Sequence, residues 1–136
     1  MAKRSKAGAG RAELSRLEMD VMDVVWELGD CSSAEVARAF AKKRALAPTT
    51  IRTVLANLRK KGYLKPIPTV ERGFRLRATV KREDVARTTL SSLTDTLFGG
   101  SPGQAIVYLL EDEKIDDDEL EAIRVMIEAK KKGDAK

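Results

Sequence analysis

Apolar residues recur at helical spacing over the first half of the chain and predict three consecutive helices. The predicted helices run from Arg16 to Leu28, from Ser33 to about Lys43, and from Pro48 to the residue before Gly62. The first two each follow a capping box, Ser15 with Glu18 and Ser32 with Glu35. In such a box the two side chains satisfy amides that the first turn of a helix leaves unpaired.

The third predicted helix has one apolar face and one polar face. Its apolar positions follow i, i+3, i+4, i+7 spacing and are predicted to be buried: Ile51, Val54, Leu55 and Leu58. Pro48 suits the first position of the helix, because the amide that proline lacks would be unpaired there anyway. The polar face is rich in threonine and basic residues and is expected to face a partner or solvent.

After this helix the spacing changes to the alternation that is typical of strands. Residues 64–70 and 74–80 are predicted to form a β-hairpin, with a turn at Glu71-Arg72-Gly73. Arg75 and Arg77 alternate with apolar residues, so one face of the hairpin is basic. Pro66 and Pro68 lack amides and confine the first strand to an edge or to irregular pairing.

From Lys81 the chain returns to helical spacing, with apolar stripes in three further predicted helices. The stripe residues expected to form a subunit interface are Leu90, Leu93, Leu97, Ile106, Leu109, Leu110, Leu120, Ile123 and Ile127. Because the preceding segment already has a core, these stripes need a partner, and a homodimer is predicted. The alternative is that they pack back on their own domain.

Charge is distributed very unevenly along the 136 residues. Residues 1–82 carry 19 basic and 8 acidic residues, whereas residues 83–136 carry 7 and 13. No acidic residue lies between Glu35 and Glu71, a stretch that holds nine lysines and arginines. A helix pair without carboxylates is what a polyphosphate favours, since carboxylates would repel it.

These patterns predict a mainly α protein with a small β-hairpin wing. The predicted organisation is a disordered basic arm over 1–12, a winged helix-turn-helix DNA-binding domain over 13–80, a helical dimerisation domain over 81–132, and a disordered tail over 133–136. A two-fold dimer implies a palindromic site on double-stranded DNA, each half read by one third helix and one wing.

The third helix is expected to enter the major groove with its N-terminal end toward the bases. The predicted base contacts are Thr49, Thr50, Arg52 and Thr53. The predicted backbone contacts are Lys42, Lys43, Arg44, Lys60, Lys61, Arg72 and Arg75. For each basic residue the alternative is an ordinary solvated position, and for Lys60 and Lys61 it is the preference of cations for a helix C-terminus.

Composition disfavours several other classes of function. The chain has one cysteine, Cys31, and no histidine, so cysteine and histidine cannot form a four-ligand zinc site, and an intramolecular disulfide is excluded. Neither a base–nucleophile pair nor a cofactor motif is present, so the protein is not expected to be an enzyme. No apolar run is long enough to span a membrane and no secretory signal is evident, which predicts a cytoplasmic protein.

Two alternative classes of function remain open at this stage. A winged-helix RNA-binding module would usually display aromatic side chains for base stacking, and most of the six aromatic residues here fit core positions instead. A protein adaptor could use the acidic helices as its working surface, but it would leave the basic segment unexplained.

Several segments, taken in order, resemble the penicillinase-repressor family, the BlaI/MecI/CopY group. Residues 14–26 (LSRLEMDVMDVVW) resemble the family's opening helix, residues 33–36 (SAEV) its second helix, and residues 49–64 its recognition helix. Residues 98–101 (FGGS) and the last helix resemble its dimerisation segment. The resemblance covers about residues 13–130 and implies a dimeric winged-helix transcriptional repressor, with Thr50 and Arg52 where base contacts are made.

The resemblance also bears on how repression could end. In the antibiotic-responsive branch, a sensor-linked protease pathway leads to cleavage near the start of the penultimate helix. The corresponding region here contains Ser101, Pro102 and Gly103 in place of the Asn-Phe pair associated with cleavage. The copper-responsive branch carries a cysteine-rich C-terminal motif, whereas this chain ends in residues 130–136 (KKKGDAK), which argues against copper sensing.

Overall fold

The structure is a computed structural model that describes residues 12–70 and 75–134. In these ranges it contains α1 (Arg16–Leu28), α2 (Ser33–Ala41), α3 (Pro48–Lys60), β1 (Leu64–Ile67), β2 (Arg75–Ala78), α4 (Arg82–Leu97), α5 (Pro102–Asp112) and α6 (Asp117–Asp134). The predicted fold class is confirmed, with helices predominating and one small hairpin after the third. The predicted basic arm over 1–12 lies almost entirely outside the described residues.

The core of the first part of the chain is formed by the apolar faces of α1, α2 and α3. Val21, Met22 and Val25 of α1 pack with Phe40 of α2, and all are at most 1% exposed. The predicted buried face of α3 is confirmed, because Ile51, Val54, Leu55 and Leu58 all belong to this core. Both predicted capping boxes are also present, at the starts of α1 and α2.

The bounds of α2 and of the hairpin differ from the predicted ones. α2 ends at Ala41, and the amide of Lys42 bonds to the carbonyl groups of Ala39 and Phe40 in a tightened last turn. The strands are shorter than predicted, with Leu64 paired to Ala78 and Ile67 paired to Arg75. The predicted turn at 71–73 and Phe74 lie outside the described residues.

The hairpin is attached to the turn between α1 and α2 by an isolated bridge. Cys31 and Leu76 form this bridge with both hydrogen bonds: Cys31 N to Leu76 O at 3.0 Å and Leu76 N to Cys31 O at 2.7 Å. Both residues are buried in the same core. The position of β2 is therefore tied to the helices that precede it.

The first compact unit of the chain ends at Ser92, beyond the predicted domain boundary at 80/81. The first half of α4 belongs to this unit because Val85 joins its core. The indole of Trp26 donates to Val80 O at 3.0 Å, and the guanidinium of Arg82 lies 5.3 Å from the centre of the Trp26 ring. Arg82 also pairs with Asp23 of α1.

The second unit begins at Leu93 and contains the end of α4, then α5 and α6. Ser101 caps α5 and Asp116 caps α6, as predicted. α6 continues to Asp134, two residues into the segment predicted as a disordered tail. Phe98 and Tyr108 meet edge to face, with ring centres 5.4 Å apart. Among the helices of the described ranges, none combines the length and apolarity needed to cross a bilayer.

Candidate nucleic-acid interface

The predicted base-contacting residues lie on the first two turns of α3. Thr49, Arg52 and Thr53 are exposed and Thr50 is half-buried, while the opposite side of the helix forms part of the core. Ala56 and Lys60 continue the exposed face along later turns. The structure therefore presents a polar, basic surface on a helix whose other side is fixed by packing.

The start of α3 differs from the starts of α1 and α2. Its N-cap residue is Ala47, which makes no side-chain cap, and Pro48 occupies the first turn. The hydroxyl of Thr53 donates to Thr49 O at 3.0 Å and so braces the first turn. The threonine methyl groups and the Arg52 guanidinium remain available to a partner that approaches this end of α3.

The turn that follows α2 is basic in sequence but partly neutralised in space. The Lys43 ammonium lies 3.3 Å from a carboxylate oxygen of Asp23 and 3.8 Å from one of Glu27. Arg44 pairs with Asp20 at 3.5 Å. The stretch has no acidic residue of its own, but carboxylates of α1 lie beside it in the fold and pair with two of its cations.

Lys61 is held at the end of α3 by groups from the start of α1. Its ammonium donates to a carboxylate oxygen of Glu18 at 2.6 Å and to Glu13 O at 3.0 Å. The side chain of Glu18 is only 9% exposed. Burial would raise the pKa of Glu18, but Lys61 and the Ser15 amide together outweigh burial and lower it. Lys61 therefore has a carboxylate partner, Glu18, within the fold.

The base of the hairpin is held by a second group of ion pairs. Nε and one terminal nitrogen of Arg77 donate to the two carboxylate oxygens of Asp30, at 2.9 and 2.7 Å, and Arg77 is the main cause of the lowered pKa of Asp30. Arg75 donates to Glu35 at 2.9 Å and to Asp30 O at 2.8 Å. The Ser32 amide, with help from Arg75 and Arg38, lowers the pKa of Glu35.

The basic residues thus separate into two groups. Lys43, Arg44, Lys61 and Arg75 have carboxylate partners within 4 Å. In contrast, a second set makes no ion pair with any side chain of residues 12–70 and 75–134: Arg38, Lys42, Arg52, Lys60 and Lys65. Arg72, predicted to contact the DNA backbone from the turn, lies outside the described residues.

Sequence reasoning missed the acidic partners of these cations. Asp20, Asp23 and Asp30 had no assigned role, because their partners lie far away in the chain. The amphipathic pattern of α1 could have suggested that its polar side bears acids, but not which cations they meet. Arg82 also went unassigned, although it joins Asp23 to Trp26.

The side chain of Cys31 is completely buried, and its backbone forms the bridge to Leu76. Burial, with a smaller contribution from Glu35, raises the pKa of its thiol to about 11. A thiol at that pKa is a poor nucleophile at neutral pH. Within the described ranges, no group of three or more cysteine, aspartate or glutamate side chains is arranged to hold a metal ion.

Known proteins resemble this chain over most of its length. The penicillinase repressor of Staphylococcus aureus is 25% identical over 114 residues, covering 84% of this chain and 90% of that protein. The methicillin resistance regulatory protein MecI of Mammaliicoccus sciuri is 25% identical over 118 residues, covering 87% and 95%.

Among solved structures, one similar chain is the monomeric form of Bacillus licheniformis BlaI in complex with the blaP half-operator. It is 30% identical, with a TM-score of 0.47, and the match covers 54% of this chain and 88% of that one. The penicillinase repressor family itself matches residues 14–129. With that match spanning most of its length, the chain belongs to the penicillinase repressor family.

Proposed function

We propose that this chain is a transcriptional repressor that binds double-stranded DNA as a homodimer. Each protomer places α3 in the major groove of one half of a palindromic operator, with the hairpin beside it. The proposal is supported by membership of the penicillinase repressor family, by a relative named as a penicillinase repressor and by another named as a methicillin resistance regulatory protein. Repression would follow from occupancy of the operator and needs no catalytic group.

The exposed N-terminal half of α3 is the observation that carries this function. Arg52 projects from a helix whose opposite side is buried, so its backbone is held in place. A guanidinium can donate two hydrogen bonds to O6 and N7 of a guanine. Thr49, Thr50 and Thr53 each offer a hydroxyl that can bond to a base edge and a methyl group that can contact the methyl group of a thymine.

Phosphate contacts would come from the basic residues around this helix. Lys42 and Lys60 are exposed and lack ion-pair partners in the described ranges. Lys43, Arg44, Lys61 and Arg75 are candidates whose ion pairs would have to open or be shared with DNA. Arg72 stays a candidate by its place in the predicted turn.

Dimerisation is supported by apolar side chains that one copy of the chain leaves uncovered. Leu97 is 68% exposed, and Leu90, Leu93, Ile106, Leu109, Leu110, Leu120 and Ile127 are each at least 40% exposed. Ile123 is half-buried. Such a concentration of exposed apolar surface is typical of a subunit interface. A second copy would bury these stripes and bring two α3 helices to one DNA site.

The segment before α5 is the candidate point at which repression could be ended. Ser101, Pro102 and Gly103 are all exposed, and only the Ser101 side chain is engaged, as the cap of α5. A sensor-linked protease is the candidate partner for this segment, by analogy with the antibiotic-responsive branch of the family. A cytoplasmic location follows from the proposed action on DNA.

The function is tested by mapping the genomic sites bound by the full chain and then measuring binding to the recovered sequence. We expect a palindromic duplex to bind far more tightly than a scrambled duplex or a single-stranded RNA of equal length, with two chains per duplex. Preference for the RNA would favour an RNA-binding module, and absence of any nucleic-acid binding would favour a protein adaptor. Either result would overturn the proposal.

A further inference from the structure

The cations of the acid-free stretch differ in whether a carboxylate holds them. Lys43 and Arg44, in the turn after α2, are held by Asp23 and Asp20 of α1. Arg38 and Lys42 precede them by only a few residues, yet neither makes an ion pair with any residue of the described ranges. Two neighbouring pairs of cations therefore face different surroundings on the same short segment.

Arg38 and Lys42 lie one helical turn apart and share a groove. At spacing i, i+4, their Cβ atoms are about 6 Å apart on one side of the helix. The groove has a volume of about 430 Å³ and is lined by both residues together with Leu28, Asp30, Glu35, Ala39 and Arg75. Its walls come from the end of α1, the outer side of α2 and the base of the hairpin.

The two carboxylates in this groove already have partners. Asp30 is bonded twice by Arg77, and Glu35 is bonded by Arg75 and by the Ser32 amide. Their charges are therefore balanced mainly by cations at the base of the hairpin, and Arg38 acts on Glu35 only through space, without an ion pair. A groove in which cations outnumber carboxylates and one wall is partly apolar favours a phosphodiester backbone, in which anionic phosphates alternate with sugars.

We propose that Arg38 and Lys42 form a DNA backbone-phosphate site on α2, and that Lys43, Arg44, Lys61 and Arg75 serve mainly to hold the fold. This inference rests on the proposed function and adds Arg38, to which the sequence assigned no role. It also divides the predicted backbone contacts: cations without a carboxylate partner neutralise phosphates, while those with one stabilise the packing of α1, α2 and the hairpin.

The test is the salt dependence of binding to a duplex of random sequence. The logarithm of the binding constant falls linearly with the logarithm of salt concentration, with a slope of about 0.9 for each phosphate that the protein neutralises. We compare Arg38→Gln and Lys42→Gln with Lys43→Gln and Arg44→Gln, which remove the same charge from the same segment. Arg38→Lys keeps the charge and should keep the slope.

We expect Arg38→Gln and Lys42→Gln each to reduce the slope by about 0.9 and the double variant by about twice that. Lys43→Gln and Arg44→Gln should each change the slope by much less than this, because their ion pairs with α1 compete with any phosphate contact, and they should shift the midpoint of urea unfolding. Equal changes of slope in all four variants, or no change in Arg38→Gln and Lys42→Gln, would overturn this inference. The proposed function would still stand in either case if the wild-type chain binds the duplex with a salt-dependent affinity. A wild-type chain that binds no duplex would overturn both proposals. If millimolar inorganic phosphate stabilised the wild-type chain against unfolding, and Arg38→Gln bound duplex with the wild-type salt slope, the groove would be a site for small anions. That result would also overturn the inference.

Discussion

Arg52 combines exposure, a fixed backbone and the absence of an ion-pair partner within the described residues. An arginine without such a partner can form two hydrogen bonds to a guanine without first breaking an ion pair. We predict that Arg52→Ala weakens binding to the operator by about 1–3 kcal/mol and relaxes the sequence preference at one position of each half-site. Titration of the operator and of variants with single base changes measures both effects.

The matched control for Arg52 is Arg124→Ala, which removes an arginine from α6, where it pairs with Glu121. This variant should bind the operator with wild-type preference. If Arg52→Ala weakened binding to operator and to random duplex equally, Arg52 would be a phosphate contact and its assignment to base reading would be wrong.

Glu18 and Lys61 form the least exposed ion pair in the described part of the chain. Because the pKa of Glu18 is lowered from its ordinary value of 4.5, the unfolded chain binds more protons in acid than the folded chain does. The stabilisation is fully present above about pH 5.5 and is lost as the pH falls through the lowered pKa. We predict that Lys61→Met costs about 2 kcal/mol of unfolding free energy at neutral pH, since it leaves a buried carboxylate unpaired.

Urea unfolding at a series of pH values tests this assignment. As the pH falls below 4.5 and through the lowered pKa of Glu18, the difference between wild type and Lys61→Met should shrink, because Glu18 becomes protonated in both proteins. Lys60→Met, which alters the preceding exposed residue, should cost much less. A constant difference between wild type and Lys61→Met at every pH would mean that packing of the lysine stem, not its charge, is what stabilises the fold.

At the scale of elements, α2 depends on its N-terminal cap. The Ser32 hydroxyl accepts the Glu35 amide at 3.1 Å, and the Glu35 carboxylate accepts the Ser32 amide at 3.0 Å. We predict that Ser32→Ala destabilises the fold by about 1 kcal/mol. Ser33→Ala makes the same chemical change one residue later, outside the cap, and should be close to neutral by thermal unfolding. Equal effects of the two substitutions would contradict the role of the cap.

Much of the helical structure could be predicted from sequence because its determinants are local. The cap and apolar spacing of α1 predicted its bounds correctly, and the pattern of α3 identified its buried face. The end of α2 was placed too late, since Lys42 has helical backbone angles but closes the last turn rather than continuing the helix. A local sequence pattern therefore predicted the start of this helix better than the residue at which it ends.

The partners of the charged residues could not be predicted, because they are set by packing between distant segments. Asp30 and Arg77 are far apart in sequence, and the Cys31–Leu76 bridge brings them together. For the same reason the sequence did not indicate that Val85 joins the core of the first unit or that Arg82 pairs with Asp23 of α1. The predicted base contacts all lie on one face of α3, so predicting them did not require knowledge of how distant segments pack.

For the whole molecule, the exposed apolar side chains of α5 and α6 predict a change of assembly state on mutation. Leu109→Asp places a charge in the predicted interface, and burial of an unpaired carboxylate is strongly unfavourable. We predict that this variant is monomeric at micromolar concentration while its first unit stays folded. Sedimentation equilibrium measures the mass, and the tryptophan fluorescence of Trp26 reports on the first unit.

Glu121→Lys, at an exposed polar position of α6, provides the control and should sediment as the wild type does. The monomeric variant should bind a half-site duplex like the wild type but lose its advantage on the full palindrome, because the second half-site is no longer linked to the first. A wild-type chain that sediments as a monomer would contradict the predicted interface directly.

The short connection between α1 and α2 leaves no room for insertions or deletions. Gly29 closes α1 at a φ of 79°, Asp30 holds Arg77, Cys31 pairs with Leu76, and Ser32 caps α2. An added residue anywhere in these four positions would displace at least two of those contacts at once. Related chains that keep this hairpin attachment should therefore vary in composition here but hold the spacing constant.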